Sequence, residues 1–298
     1  MTLAPGLHAN ISFARYLADP CPEPSLSSST IRDLLRSPLH AHRRHPRLGG
    51  ARDDNGRADL GTAVHALVLG GSERLYWVDA DDWRTKAARE ARDLARLDGR
   101  VPVLESDREP IEGAARAALN ALGDAALLDQ ERAEQTLIWR EGEAWARGRP
   151  DLLIGPQADT VVDLKTATNA DPVDWIRRSM IAGGYHVQAA WYLRGLDTVL
   201  PDGAGAGSTL RGAGTGREFV CLVVELDPPH GCSLVGVGPE LLAIGRAAVE
   251  RGVRLWKECM ASGKWPGYPP AIHWADAPAW LQYEMAARGV SLSEGVER

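Results

Sequence analysis

Apolar positions in the first part of the chain recur at three- and four-residue spacing, the signature of helices with one buried face. In LSSSTIRDLLRSP (26–38), Ile31, Leu34 and Leu35 share such a face; Ser28 or Ser29 can cap its start, and Ser37-Pro38 stops it. A basic stretch from His40 to Arg47 follows. DLGTAVHALVL (59–69) sets Leu60, Ala63, Val64, Leu67 and Val68 at helical spacing, and that helix carries His65. Residues 81–130, Ala-rich and highly charged, read as two helices and a turn.

The texture then changes. EQTLIWR (134–140), WARGRPDLLIG (145–155) and DTVVDLK (159–165) are short, β-branched or aromatic, and separated by EGEA and PQA turns. They predict three consecutive strands arranged as a meander. A helix is expected from Pro172 to Leu196, interrupted at Gly183-Gly184, then strands at 218–226 and 232–238, and a helix from Pro239 to Met260. Between them, residues 201–217 hold six glycines in 17 positions and read as a surface loop. This order of elements predicts one α/β domain over 1–298. Its parts are an N-terminal helical segment (25–58), a core (59–70 and 132–262), a helical insertion (71–131) and a C-terminal tail (263–298).

With 298 residues, 44% of them apolar and 25% charged, the chain has ample material for a core. Its longest apolar run, Phe219–Val224, is six residues, far below the roughly twenty of a membrane-spanning helix. Met1–Asn10 lacks a basic segment followed by an apolar stretch, so a cytoplasmic protein is expected. Cys21, Cys221, Cys232 and Cys259 form no C-x-x-C pair, which argues against a zinc ribbon or iron–sulfur cage and for reduced thiols. A net charge of −6 excludes coating of nucleic acid by overall positive charge. Any DNA role must rest on local chemistry. Of 34 basic residues only four are lysines, at 86, 165, 257 and 264, so a lysine in a suggestive place is worth explaining.

One such place is Lys165. Gly148-Arg149-Pro150-Asp151 is followed, twelve residues after Asp151, by Asp163-Leu164-Lys165. Alternation along a strand turns Asp163 and Lys165 one way and Val162 and Leu164 into the core. If the two strands are hairpin neighbours, Asp151 lies beside Asp163, and two such carboxylates repel unless a cation or a shared proton intervenes. A hard dication such as Mg²⁺ satisfies both through oxygen ligands. The competing reading makes Asp151 a turn residue after Pro150, with Asp163 and Lys165 an exposed pair of little energetic worth. His65 is either a satisfied core histidine or a third ligand, and its nitrogen would make Mn²⁺ an effective substitute. Gln188 and Tyr192, at i and i+4, share a helix face that is either simply amphipathic or directed at the site.

Taken together, GRPD, DLK, the upstream GTAVH helix and the downstream QAAWY helix resemble the PD-(D/E)XK nuclease superfamily. More narrowly they resemble its exodeoxyribonuclease VIII (RecE-type) branch, as do SSSTIRDLLRSP, DDWRTKAAREARD, DLKTATNADP, GYHVQAAWYLRGL and GKWPGYP in that order. The likeness spans residues 25–285. It implies a restriction-endonuclease-like core, a central mixed sheet flanked by helices, and a metal-dependent 5′–3′ exonuclease of linear double-stranded DNA. The 3′ single-stranded tails would go to a recombination annealing partner. Asp151, Asp163 and His65 would be metal ligands with the Leu164 carbonyl, and Lys165 the catalytic lysine. Glu134 would hold a metal-bound water, and Gln188 and Tyr192 would position substrate. Arg43, Arg44, Arg84, Lys86 and Arg149 are candidate DNA contacts. The resemblance further implies Mg²⁺ as cofactor, a ring-shaped homo-oligomer and a phage or prophage origin. An endonuclease or nickase, and a non-catalytic DNA-binding protein on the same scaffold, are the alternatives.

Overall fold

The computed structural model describes residues 2–48, 50, 57–124, 132–201 and 216–289. The chain starts with a short strand β1 (Gly6–His8), a one-turn helix α1 (Phe13–Leu17) and strand β2 (Ser25–Leu26), and continues into helices α2 (Ser28–Arg36) and α3 (Pro38–Arg44). The cap of α2 is Ser27 rather than Ser28 or Ser29: its hydroxyl accepts from the Thr30 N–H at 3.2 Å. Pairing of β2 with the sheet ends at Leu26, so Ser27 is the first residue free to cap. Ser37, expected only to stop this helix, also caps the next one, with Pro38 in its first turn.

Helix α4 (Arg57–Val68) carries His65. In the insertion, strands β3 (Leu75–Val78) and β4 (Val101–Leu104) pair in parallel across helix α5 (Lys86–Leu97), and helix α6 (Arg108–Asp124) follows. Two helices and a turn were expected over 81–130. The helices are there, but β4 joins them as part of a βαβ unit, because a four-residue strand is too short to register as a period among alanines. Residues 125–131 and the glycine-rich 202–215 lie outside the described residues.

The predicted meander is divided between two sheets. Strands β5 (Thr136–Glu141) and β6 (Ala144–Gly148) form an antiparallel hairpin in a sheet ordered β1-β5-β6-β2. Strands β7 (Leu152–Ile154) and β8 (Thr160–Ala167) form another, in a mixed sheet whose order β10-β9-β8-β7 is completed by β9 (Glu218–Glu225) and β10 (Cys232–Gly236). Residues 145–155, expected as one strand, therefore break at Arg149–Asp151. Pro150 has no N–H to give a ladder, and the chain changes sheet there.

Helix α7 (Pro172–Trp175), a π-helical turn (Ile176–Met180) and helix α8 (Tyr185–Val199) follow β8, with Gly184 in the left-handed region at φ 67° where α8 begins. Helix α9 (Pro239–Ser262) ends this unit's regular structure. The second sheet is buried on both faces. Val161, Phe219, Cys221 and Val223 pack with Ile31, Val187, Trp191 and Trp256, while Val162, Leu164, Leu222 and Val224 pack with Val64, Ile111 and Leu122. This is a mixed α/β protein with mixed sheets flanked by helices, as expected, although two four-stranded sheets replace one central sheet. The described residues from Tyr268 onward belong to a second unit, and their regular structure is helix α10 (Ala279–Ala287). No helix among the described residues is long and apolar enough to cross a membrane.

Candidate active site

The hairpin register pairs Leu152 with Val162, which sets Asp151 opposite Asp163 just beyond the last pair. The break at Pro150 frees the Asp151 carboxylate to accept the Leu164 backbone N–H at 2.7 Å. Helix α4, from one layer, places His65 Nε2 3.2 Å from Asp151 Oδ2. Helix α8, from the other, brings Gln188, which donates to Asp163 Oδ1 at 3.0 Å and accepts from Lys165 Nζ at 3.2 Å. Gln188 also donates to the Tyr192 hydroxyl at 3.2 Å. Tyr192 sits close against Gly148, where a Cβ would lie 3.1 Å from its ring. Lys165 and Asp163 form a direct ion contact.

His65, Asp151, Asp163, Lys165, Gln188, Tyr192, Glu134 and Arg149 line one cavity of about 410 Å³. The structure thus gathers eight of the predicted residues. The Leu164 backbone runs through the same site, its N–H bonded to Asp151, but the four remaining basic candidates are elsewhere. Arg43 is exposed on α3, Arg44 pairs with Asp33 at 2.8 Å, Arg84 lies 3.4 Å from Asp82, and Lys86 lies 3.6 Å from Glu90. The Leu164 side chain packs in the core beneath the site.

Charge in the cavity is finely balanced. Burial pulls the His65 imidazole down, but the Asp151 carboxylate outweighs it and lifts the pKa to about 9. Burial lifts Asp151, and His65 and Lys165 more than reverse that, leaving it below the ordinary carboxylate value. Asp163, also lifted by burial, is eased down by Lys165 and pushed up by Asp151, and ends near 6. Lys165 loses to burial and gains more from Asp163 and Asp151, so it stays charged.

The donor set suits a hard divalent cation. The His65 Nδ1 donates to the Gly61 carbonyl at 2.8 Å, which fixes the ring and directs Nε2 at Asp151. Asp163 Oδ2 is buried and its one partner is the Lys165 ammonium, so the oxygen is held by a charge that a metal ion could replace. Among the described residues no three His, Cys, Asp or Glu side chains stand ready-arranged around a common point. As they stand, the cations Lys165 and His65 neutralise the two carboxylates.

Sequence reasoning missed part of the rim. Arg74 donates to Glu134 Oε2 at 3.0 Å, and Arg149 approaches the same oxygen at 3.3 Å. Arg149 is also tied to the Ile11 carbonyl at 2.7 Å and to Thr136 Oγ1 at 3.2 Å. Glu134 itself holds φ 49°, its N–H donating to the Asp151 carbonyl at 2.8 Å. Arg32 and Ser29 of α2 face the cavity too. One arginine among thirty carries no mark of its place; Ser28 and Ser29 were legible only as caps.

A sequence model of the PD-(D/E)XK nuclease superfamily matches residues 25–222, and the chain belongs to that superfamily. Its members typically use a divalent metal ion. A crystal structure from Eubacterium rectale, provisionally designated an exonuclease, aligns over 91% of this chain and 97% of its own at a TM-score of 0.51 and 11% identity, a likeness of fold. The alkaline exonuclease LHK-Exo of Laribacter hongkongensis aligns over 70% of this chain and 94% of its own at 15% identity, with a TM-score of only 0.26. No curated protein sequence matches.

Proposed function

We propose that this nuclease is a Mg²⁺-dependent exonuclease of linear double-stranded DNA, working 5′ to 3′ and leaving 3′ single-stranded tails for a recombination annealing partner. The observation that carries the reading is the convergence of His65, Asp151, Asp163 and Lys165 in one cavity. The metal would be held by Asp151, Asp163, His65 and the Leu164 carbonyl, with Mn²⁺ as substitute. When bound it supplies polarisation of a phosphoryl oxygen and a lowered pKa for water.

The chain's own groups do the rest. Lys165 sets a fixed positive charge beside the place where negative charge builds on the phosphoryl group, and helps orient the attacking water. Gln188 holds both Asp163 and Lys165, so its single amide sets the spacing of the two. Burial raises the Tyr192 phenol well above its ordinary value and keeps it protonated, free to donate toward substrate. Glu134, on the rim, would take a hydrogen bond from a metal-bound water once released from Arg74 and Arg149.

The 59–70 and 132–262 segments form the catalytic core in this reading, with 71–131 inserted. The resemblance implies a ring of subunits around the duplex, an arrangement in which few phosphate contacts per subunit would suffice for a chain of net charge −6.

The test is degradation of end-labelled duplex in Mg²⁺, in EDTA and on closed circular DNA. Loss of label from linear duplex, abolished by EDTA, with circles left intact, is the expected result. Cleavage of closed circles would make the protein an endonuclease instead.

A further inference from the structure

Lys165 has a contact that the site's own hydrogen bonds do not explain. Its Nζ lies 4.6 Å from the centroid of the Tyr185 ring, well inside the range of a cation–π contact. That ring is itself braced: it stacks on Trp175 with centroids 5.4 Å apart and planes 3° from parallel, and Trp175 is buried in the main core. Ten residues separate the two rings in sequence. The π-helical turn Ile176–Met180 and the left-handed Gly184 bring them face to face. Tyr185 then opens α8, three residues before Gln188, so one helix face supplies two of the groups around the ammonium.

We propose that Tyr185 is a positioning residue for Lys165, its braced ring closing the third side of an ammonium already bounded by Asp163 and Gln188. A free lysine side chain has four rotatable bonds and loses rotamer entropy when its ammonium is held at one point. Asp163 and Gln188 alone would leave the ammonium free to swing about the carboxylate it touches. The ring pulls from another direction and keeps Nζ at a fixed point over the cavity. The contact needs the π face and not the phenol oxygen, so phenylalanine should serve.

This inference rests on the reading that Lys165 takes part in the reaction. The experiment compares Tyr185→Leu, Tyr185→Phe and Lys165→Ala with the unaltered protein in steady-state degradation of end-labelled duplex with Mg²⁺, alongside thermal melting. Tyr185→Leu is expected to lower kcat about tenfold with KM unchanged. Tyr185→Phe should stay within about twofold. Unaltered kcat in Tyr185→Leu, or equal damage in Tyr185→Phe, overturns the assignment, as does a change confined to KM. If the leucine variant fails to fold, Tyr185→Met repeats the comparison without a ring. Full activity in Lys165→Ala sinks the reading of the lysine itself, whereas an inactive Lys165→Ala beside a fully active Tyr185→Leu sinks only the role of the ring.

Discussion

Two clusters in this molecule are built from the same side-chain types. Around Asp19, the carboxylate takes Ser25 Oγ at 2.7 Å and the Ser25 N–H at 2.9 Å, with Arg147 at 3.1 Å and His45 at 3.4 Å. The side chains of Asp19, His45 and Arg147 are at most 3% exposed. Around Asp163, an acid, a histidine and a basic residue again meet, but they line an open cavity, and the two carboxylates face each other. In the sealed cluster burial prevails and His45 falls to about 4; in the open one Asp151 prevails and His65 rises to about 9. Composition does not separate a structural lock from a reactive site. Access, and the balance of like and unlike charges, does.

The comparison can be broken by substitution. Asp163→Asn should cost at least about a hundredfold in kcat, while moving the urea midpoint less than any change at Asp19. A large loss of stability with little loss of activity would erase the distinction. Asp19→Ala is expected to destabilise by about 3–5 kcal/mol, because it strands Arg147 in the core without its counter-charge. Activity per folded molecule should be retained, and urea unfolding paired with the duplex assay measures both.

A smaller effect separates the clusters by pH. The unfolded chain protonates His45 near 6.5, whereas the folded one resists until about 4. Between those values the unfolded state binds more protons, so the contribution of His45 is fully present above pH 6.5 and is lost as pH falls toward 4. Denaturant titrations across that window should show the slope, and His45→Gln should flatten it. Smallest of all, Arg84→Ala and Lys86→Ala should change stability by under about 0.5 kcal/mol. Any contact these two make with DNA phosphates will show as a fall of about 0.9 per residue in the salt slope of binding.

Much of the fold was legible because period and length agree for long elements. Helices α4, α8 and α9 and strands β8 and β9 lie where alternation or helical spacing set them. Strand β4 was not legible, since four residues are fewer than any period needs, and the division of 145–155 between two sheets depends on partners that a local pattern does not name. At the site, the twelve-residue spacing and the hairpin register made the Asp151–Asp163 encounter readable. Arg74 was not, because nothing near it in sequence differs from the solvated arginines elsewhere; only its approach to Glu134 marks it.

What the chain's own order of residues determined is local: where backbone prefers to coil or extend, which faces are oily, and that one lysine was kept beside a pair of acids in a chain that otherwise uses arginine. Tertiary structure decided the rest. Whether a histidine carries a proton, whether an arginine faces a cavity or a core carbonyl, and whether a tyrosine ring lies under an ammonium all depend on groups tens of residues away. Burial and charge act through space over a few ångströms, and adjacency in sequence does not report them.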